Sequence, residues 1–147
     1  MRHALLLAAL ALAACDGSVL VPLRPDAGDA IDATFAAEQC MEEGVLRARV
    51  LVPRCGGSDC HGGARPKAGL DLEAPGLAAR LVGAPSIHEG CGDRTLVVPG
   101  VARASFLVDK VLGLEGTCGD PMPLEGELTL EERRCLVAWI DGLPSGS

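Results

Sequence analysis

The chain has 147 residues, with 13 basic and 20 acidic side chains and a formal net charge of −7. This acidic balance argues against nucleic acid as a partner, because a polyanion binds basic surfaces. The sequence contains no glycine-rich phosphate loop, serine elbow or His-Glu-x-x-His motif, so we expect a protein without enzymatic activity. Its aromatic residues are Phe35, Phe106 and Trp139, so we expect a buried cofactor or disulfide bonds to compensate for a core with few large rings.

The N-terminus has the pattern of a bacterial lipoprotein signal. Arg2 precedes an apolar run over residues 4–14, which is too short to span a bilayer as a helix. The run ends in Leu-Ala-Ala-Cys15, which resembles a lipobox, so we predict a signal peptide over 1–14 and a lipid on Cys15. An ordinary secretory signal cleaved nearby is the alternative. Lipid on Cys15 would hold the protein on a membrane surface of the bacterial cell envelope, facing the periplasm or associated with the outer membrane.

A flexible tether and one small domain follow the signal. Residues 15–31 contain proline, glycine and aspartate without sustained periodicity, which is typical of a linker. We place the folded domain at 32–143 and a short tail at 144–147. Its first helix is predicted from about Thr34 to Leu46, where apolar residues recur at helical spacing.

A short motif, Cys55-Gly-Gly-Ser-Asp-Cys60-His61, points to covalent haem attachment. Two cysteines can form thioethers with the porphyrin vinyl groups, and a histidine directly after the second can bind the iron. The usual spacing is C-x-x-C-H, whereas four residues separate the cysteines here. Gly56 and Gly57 allow the longer loop to bulge away from the ring, because glycine tolerates conformations closed to other residues. We therefore predict one haem c on Cys55 and Cys60, with His61 on the iron.

Two other interpretations of this motif stay open. Cys55 and Cys60 can close a small disulfide loop and leave His61 exposed to solvent. Metal capture by two thiolates and a histidine comes third, because structural zinc generally takes four ligands and a second cysteine or histidine pair at short spacing is missing.

The middle of the domain predicts short elements joined by long loops. A short helix is expected over 75–82, with Pro75 in its first turn. Residues 96–98 are expected to be extended. A helix over 105–112 is expected to end at Gly113.

The last helix has the clearest boundaries in the sequence. Thr129 and Glu132 have the spacing of a capping box, and Gly142 and Pro144 stop the helix. Its predicted apolar face consists of Leu130, Leu136, Val137 and Ile140.

Six cysteines remain for the exported protein once Cys15 carries lipid. Thiols in an oxidising compartment are generally paired or modified. We pair Cys91 with Cys118, because each begins a Cys-Gly-Asp loop and one helix lies between them. We pair Cys40 with Cys135, which lie in the first and last predicted helices. Other connectivities stay open, and the even count does not separate haem attachment from a bond between the two motif cysteines.

A haem iron held by one histidine needs a ligand on its opposite face. Met122 lies between Pro121 and Pro123, and prolines on both sides stiffen the backbone and keep it out of a helix. That arrangement suits a thioether sulfur held at a fixed point, so Met122 is the predicted sixth ligand. Met41 and His88 are the rivals.

The order of these motifs resembles the cytochrome c-like domain of exported myxobacterial and planctomycete proteins, within the broad class I cytochrome c group. The resemblance covers roughly residues 34–143. It rests on the Cys-His motif, Leu70-Asp71-Leu72, Leu81-Val82-Gly83-Ala84-Pro85-Ser86, Val97-Val98-Pro99-Gly100, Ala104-Ser105-Phe106-Leu107-Val108-Asp109-Lys110, Met122-Pro123 and Ala138-Trp139-Ile140. It implies an all-α, cytochrome c-like fold, a small helical domain with long loops whose first and last helices cross. A Cys40–Cys135 pair fits such a crossing.

The resemblance also implies roles for the motif residues. Cys55 and Cys60 would hold the haem, His61 would be the proximal ligand and Met122 the distal one. His/Met ligation tends to raise the reduction potential, and the expected role is one-electron transfer at the cell envelope. We expect the protein to be a monomer that exchanges electrons with a redox partner protein. The alternative is a haem-free structural or binding lipoprotein on the same scaffold, with Cys55 and Cys60 in a disulfide. An oxygen- or peroxide-handling enzyme needs an open iron site, against which Met122 argues.

Overall fold

A computed structural model describes residues 37–88, 90, 91, 94–114 and 116–145. The predicted signal peptide, the lipid-bearing Cys15, the tether and the predicted helix start at Thr34 lie outside the described residues. Within them, the chain is helical, and its helices are joined by long loops.

The first helical stretch is longer than the sequence predicts. A 3₁₀ turn over Ala37–Met41 leads into α1 (Glu43–Leu46), a π-helical segment (Arg47–Leu51) and α2 (Val52–Cys55). The predicted end at Leu46 is therefore wrong. Pro53 does not break the stretch because it lies in the first turn of α2, where its missing N–H is tolerated.

Burial explains why the helix continues. The side chains of Leu46, Val50 and Leu51 are no more than 2% exposed and belong to the main apolar core. A helical backbone keeps these neighbours on the core side while satisfying its own hydrogen bonds.

The helices in the middle of the chain lie close to their predicted positions, but the first begins at Leu77, so Pro75 precedes it rather than lying in its first turn. A short helix, α3, covers Leu77–Leu81, and α4 covers Phe106–Leu112. Gly113 ends α4 in the left-handed region, at φ 58°, which glycine adopts without steric cost. The remaining 3₁₀ turns are Lys67–Gly69 and Ala102–Ala104.

Extended backbone makes two isolated bridges rather than a sheet. Val97 forms a parallel bridge with Val82, and Thr95 forms an antiparallel bridge with Pro85. The described residues contain no longer strand. The predicted extended segment at 96–98 thus provides Val97 for the bridge to Val82, which directly follows α3.

The last helix, α5 (Leu130–Asp141), closes the domain. Both bonds of the predicted capping box are present: the Thr129 amide donates to Glu132 at 2.7 Å, and the Glu132 amide donates to the Thr129 hydroxyl at 3.2 Å. The helix packs against the 3₁₀ turn at Ala37–Met41 and against α1. Its buried residues are Cys135, Leu136, Trp139 and Ile140.

One apolar core joins these elements. It contains residues from α1 through α5, and Cys55 at the end of α2 belongs to it. No helix among the described residues is both long and apolar enough to cross a membrane.

Candidate haem-binding site

Cys55 is the last residue of α2, and its side chain faces the core. The residue is 9% exposed. Burial raises the pKa of its thiol to about 11, a shift that the neighbouring Arg54 guanidinium partly opposes. The thiol is therefore protonated at neutral pH and a poor nucleophile in the folded chain.

The loop after Cys55 is organised around the carboxylate of Glu73. Its two oxygens accept hydrogen bonds from the amides of Gly57 at 2.6 Å and Gly63 at 3.3 Å. A side chain at Gly56 or Gly62 would collide with this carboxylate. These glycines therefore allow a carboxylate to sit at the centre of the loop, a role beyond the backbone freedom that the sequence suggested.

Glu73 is the site residue that sequence reasoning missed. Arg47 donates from its guanidinium to the Glu73 carbonyl, which ties the residue to the first helical stretch. The glycine-rich loop hints at close packing, but nothing in the spacing of Glu73 from Gly57 identifies the partner.

Cys60 and His61 lie at the far end of this loop. Two backbone bonds close it: the Cys60 amide donates to Gly57 at 3.1 Å, and the His61 amide donates to Cys55 at 2.9 Å. Cys60 is exposed and His61 is half-buried. The loop thus brings both cysteines and the histidine into one local unit in spite of the widened spacing.

The next segment fixes the imidazole of His61. Its Nδ1 lies 3.1 Å from the backbone oxygen of Lys67. A carbonyl oxygen can only accept, so Nδ1 carries a proton, and in the neutral ring Nε2 then has the lone pair that binds metals. The Leu72 amide also donates to the His61 carbonyl at 2.7 Å, which holds the following segment over the motif.

Met122 is held by another part of the chain. It is half-buried, and its amide donates to the Lys110 carbonyl in α4 at 2.8 Å. The Lys110 ammonium donates to the Asp120 carbonyl at 2.8 Å. These bonds attach the proline-flanked segment to α4, whereas the bonds that hold His61 run to Lys67 and Leu72.

Met41 and His88, the other candidates for the sixth ligand, are held by contacts with other parts of the chain. Met41 is 50% exposed, and its sulfur lies beside Gly142 at the end of α5. His88 lies against Cys91, with its Nδ1 3.4 Å from that sulfur.

The four remaining described cysteines form two disulfide bonds. Cys40 is bonded to Cys135 and Cys91 to Cys118, with Cα–Cα distances of 5.0 and 5.1 Å. This is the pairing that the sequence predicted, and both distances lie in the usual disulfide range. Cys55 and Cys60 are not bonded to each other, so the structure does not contain the disulfide on which the haem-free alternative was built.

The unpaired thiols of Cys55 and Cys60 and the oriented imidazole of His61 are the kinds of group that hold a c-type haem. An open cleft of about 230 Å³ lies beside the start of α5, and none of the residues that line it is a predicted haem ligand. Its lining consists of Arg49, Val50, Thr129, Glu131, Glu132 and Cys135.

Comparisons with protein-family models, with curated proteins and with solved structures found no match.

Proposed function

We propose that this protein is a c-type cytochrome of the bacterial cell envelope that carries single electrons. In this proposal Cys55 and Cys60 hold one haem c through thioether bonds, and His61 is the proximal ligand. Met122 supplies the distal ligand, and lipid on Cys15 anchors the protein to the membrane surface. A redox partner protein would exchange electrons with the haem.

The observation that carries the proposal is the hydrogen bond from His61 to the Lys67 carbonyl. Histidines that bind metals almost always donate their other ring N–H to a carbonyl or carboxylate, which fixes the tautomer and the ring orientation. His61 has this arrangement directly after Cys60. A histidine exposed beside a disulfide loop, as in the alternative interpretation, would need no such partner.

The state of the cysteines supports the same conclusion. Two disulfide bonds are typical of a protein that folds in an oxidising compartment, yet Cys55 and Cys60 are unpaired. Thioether formation with a haem is a modification that would consume both thiols. Because Cys55 is buried, its attachment has to precede complete folding.

When bound, the haem iron would supply one-electron chemistry by alternating between its ferrous and ferric states. The protein's own part is positional. The Glu73-centred loop sets the spacing of the two thiols, and the Lys67 carbonyl orients the imidazole. The attachment of Met122 to α4 holds a thioether in a stiff segment, and such ligation raises the reduction potential.

The proposal is tested by producing the full chain in a bacterial host that has c-type haem attachment machinery. We expect a Soret band that stays with the polypeptide after denaturation and acid–acetone extraction. A Cys55→Ser, Cys60→Ser double variant should lose this covalent colour. A colourless wild-type protein would reject the proposal.

Single variants then assign the two axial ligands. His61→Ala should strongly reduce haem incorporation. Met122→Ala should keep the covalent haem, lower the potential and allow imidazole to bind the iron. Met41→Ala is the matched control and should behave as wild type, whereas unchanged optical and redox behaviour in Met122→Ala would exclude Met122 as a ligand.

A haem-free lipoprotein remains the second candidate, and one observation favours it. Cys55 is part of the continuous apolar core, so the scaffold has a packed interior around the attachment position without a cofactor. The same spectrum decides between the candidates, because this protein would be colourless in a host that loads other c-type cytochromes.

A further inference from the structure

The Cys91–Cys118 bond differs from the other disulfide in its surroundings. His88 places Nδ1 3.4 Å from the Cys91 sulfur, and the ligand-type atoms of His88, Cys91 and Cys118 all lie within 4.8 Å of one another. The Cys40–Cys135 bond, by contrast, lies in the core, with its residues 0% and 2% exposed.

The two residues of the Cys91–Cys118 bond are unequally exposed. Cys91 is buried, at 5% exposed, whereas Cys118 is half-buried. An incoming thiolate therefore reaches the Cys118 sulfur more readily, and Cys91 becomes the leaving group. His88 lies beside that leaving sulfur.

A cation marks the accessible side of the bond. The Lys110 ammonium donates to the carbonyls of Cys118 at 2.6 Å and Asp120 at 2.8 Å. Its positive charge favours the approach of an anionic thiolate to Cys118.

Gly119 lets these groups come together. A Cβ at this position would lie 2.9 Å from the Lys110 ammonium nitrogen and 3.4 Å from a ring carbon of His88. Gly119 also has φ +70°, which other residues rarely adopt. The turn after Cys118 therefore packs closely against the side chains of Lys110 and His88.

We propose that Cys91–Cys118 is a thiol–disulfide exchange site whose substrates are dithiols, with Cys118 the sulfur attacked and His88 the group that stabilises the departing Cys91 thiolate. A substrate thiolate forms a mixed disulfide with Cys118, and the Cys91–Cys118 bond breaks. The Cys91 sulfur leaves with the electron pair and accepts a hydrogen bond from the His88 ring.

The second thiol of the substrate completes the exchange. It loses its proton to water and attacks the substrate sulfur of the mixed disulfide, which releases the Cys118 thiolate. Two electrons pass from the dithiol to the protein, so that the substrate leaves as a disulfide and Cys91 and Cys118 become thiols. This activity needs no haem and is independent of the function proposed above.

The test compares the two disulfides of the same molecule, with Cys91–Cys118 as the proposed site and Cys40–Cys135 as the internal control. The haem-free full chain is treated with dithiothreitol near neutral pH, quenched by acid and alkylated, and each cysteine peptide is quantified by mass spectrometry. Cys91–Cys118 should be reduced at least about tenfold faster than Cys40–Cys135, because exchange rates depend on access and on the leaving thiol. Equal rates would overturn the proposal.

Two variants test the role of His88. His88→Ala should slow reduction of Cys91–Cys118 by roughly three- to tenfold, because a leaving thiol of higher pKa departs more slowly, and Gly119→Ala should act in the same direction by displacing the ring. The Cys40–Cys135 rate should not change in either variant, which separates a local effect from general loosening of the fold. An unchanged Cys91–Cys118 rate in His88→Ala would reject the role of His88.

The attacked sulfur is identified with a monothiol. Glutathione should be found on Cys118 in the trapped mixed disulfide. Glutathione predominantly on Cys91 would reverse the assigned direction of attack and overturn the proposal.

Discussion

Burial gives the two thiols of the haem motif different chemistry. Cys55 ends a helix inside the core, and the cost of placing a charge there raises the pKa of its thiol. Cys60 lies five residues later on an exposed loop. The same residue type is thus a protonated core side chain at one position and an accessible thiol at the other.

Alkylation of the haem-free chain should reveal this difference. At about pH 8, iodoacetamide should modify Cys60 at least about tenfold faster than Cys55, because only a small fraction of a thiol with a pKa of about 11 is ionised there. The Cys55 rate should keep rising with pH toward about 11, since the raised pKa delays formation of the reactive thiolate. Peptide mass spectrometry measures both rates. Denaturation in urea is the control and should bring the two rates together, and equal rates in the folded chain would contradict the burial of Cys55.

At the scale of elements, local hydrogen bonds decide where helices and loops end. Thr129 and Glu132 satisfy each other's amides at the start of α5, and Gly113 ends α4. The loop between Cys55 and His61 depends instead on a distant residue, Glu73. The end of α4 and the start of α5 are therefore fixed by the spacing of residues along the chain, whereas the motif loop is fixed by tertiary packing.

The capping box should contribute measurably to stability. Thr129→Ala removes the acceptor for the Glu132 amide and should lower the free energy of unfolding by about 1 kcal/mol. Thr129→Ser retains the hydroxyl and serves as the matched control. Urea unfolding measures both variants, and a Thr129→Ala protein as stable as the Ser variant would show that the cap contributes nothing.

Removing the Glu73 carboxylate should loosen the motif loop. Glu73→Ala leaves the amides of Gly57 and Gly63 without their acceptor, and because both positions are exposed, the free energy of unfolding should fall by no more than a typical net hydrogen-bond contribution of about 0.5–1.5 kcal/mol. We expect faster hydrogen exchange at these two amides and less haem incorporation. Glu125→Ala, at an exposed position, is the control, and unchanged exchange in Glu73→Ala would contradict the loop geometry.

At the scale of the whole domain, the two disulfides constrain very different lengths of chain. Cys40–Cys135 spans 95 positions and joins the start of the helical region to α5, whereas Cys91–Cys118 spans 27. An unfolded chain loses more conformational freedom when a longer loop is closed. The longer bond therefore stabilises the domain as a whole, and the shorter one acts around α4.

Removal of each pair should reflect this difference. A Cys40→Ala, Cys135→Ala double variant should lose roughly 4–5 kcal/mol of unfolding free energy, and a Cys91→Ala, Cys118→Ala variant roughly 3–4 kcal/mol, in the chain-entropy description. Chemical unfolding of the full chain measures both. The reverse order would show that local packing, rather than loop length, determines the contribution of each bond.

Features set by neighbours along the chain could be read from the sequence. The capping box needs residues three positions apart, the end of α4 needs a glycine at one position, and the even number of cysteines in suitable loops and helices suggested their pairing. The Cys-His motif likewise identified its own candidate residues. The capping box, the helix end and the Cys-His motif depend on local spacing, which a sequence displays directly. The pairing of cysteines 95 and 27 positions apart was inferred instead from their number and their surroundings in the chain.

Features set by burial were decided by the tertiary structure. The helix passes beyond Leu46 because Val50 and Leu51 are buried in the core, and the predicted boundary could not include that packing. Glu73 fills the motif loop from 16 positions beyond Gly57, and His88 reaches a disulfide whose second cysteine lies 30 positions further along the chain. Local spacing in the sequence determined which residues were available for helices, disulfide bonds and ligands. Only the packed chain decided which groups are shielded from water and which side chains they contact, because desolvation and contact depend on distance in space rather than along the sequence.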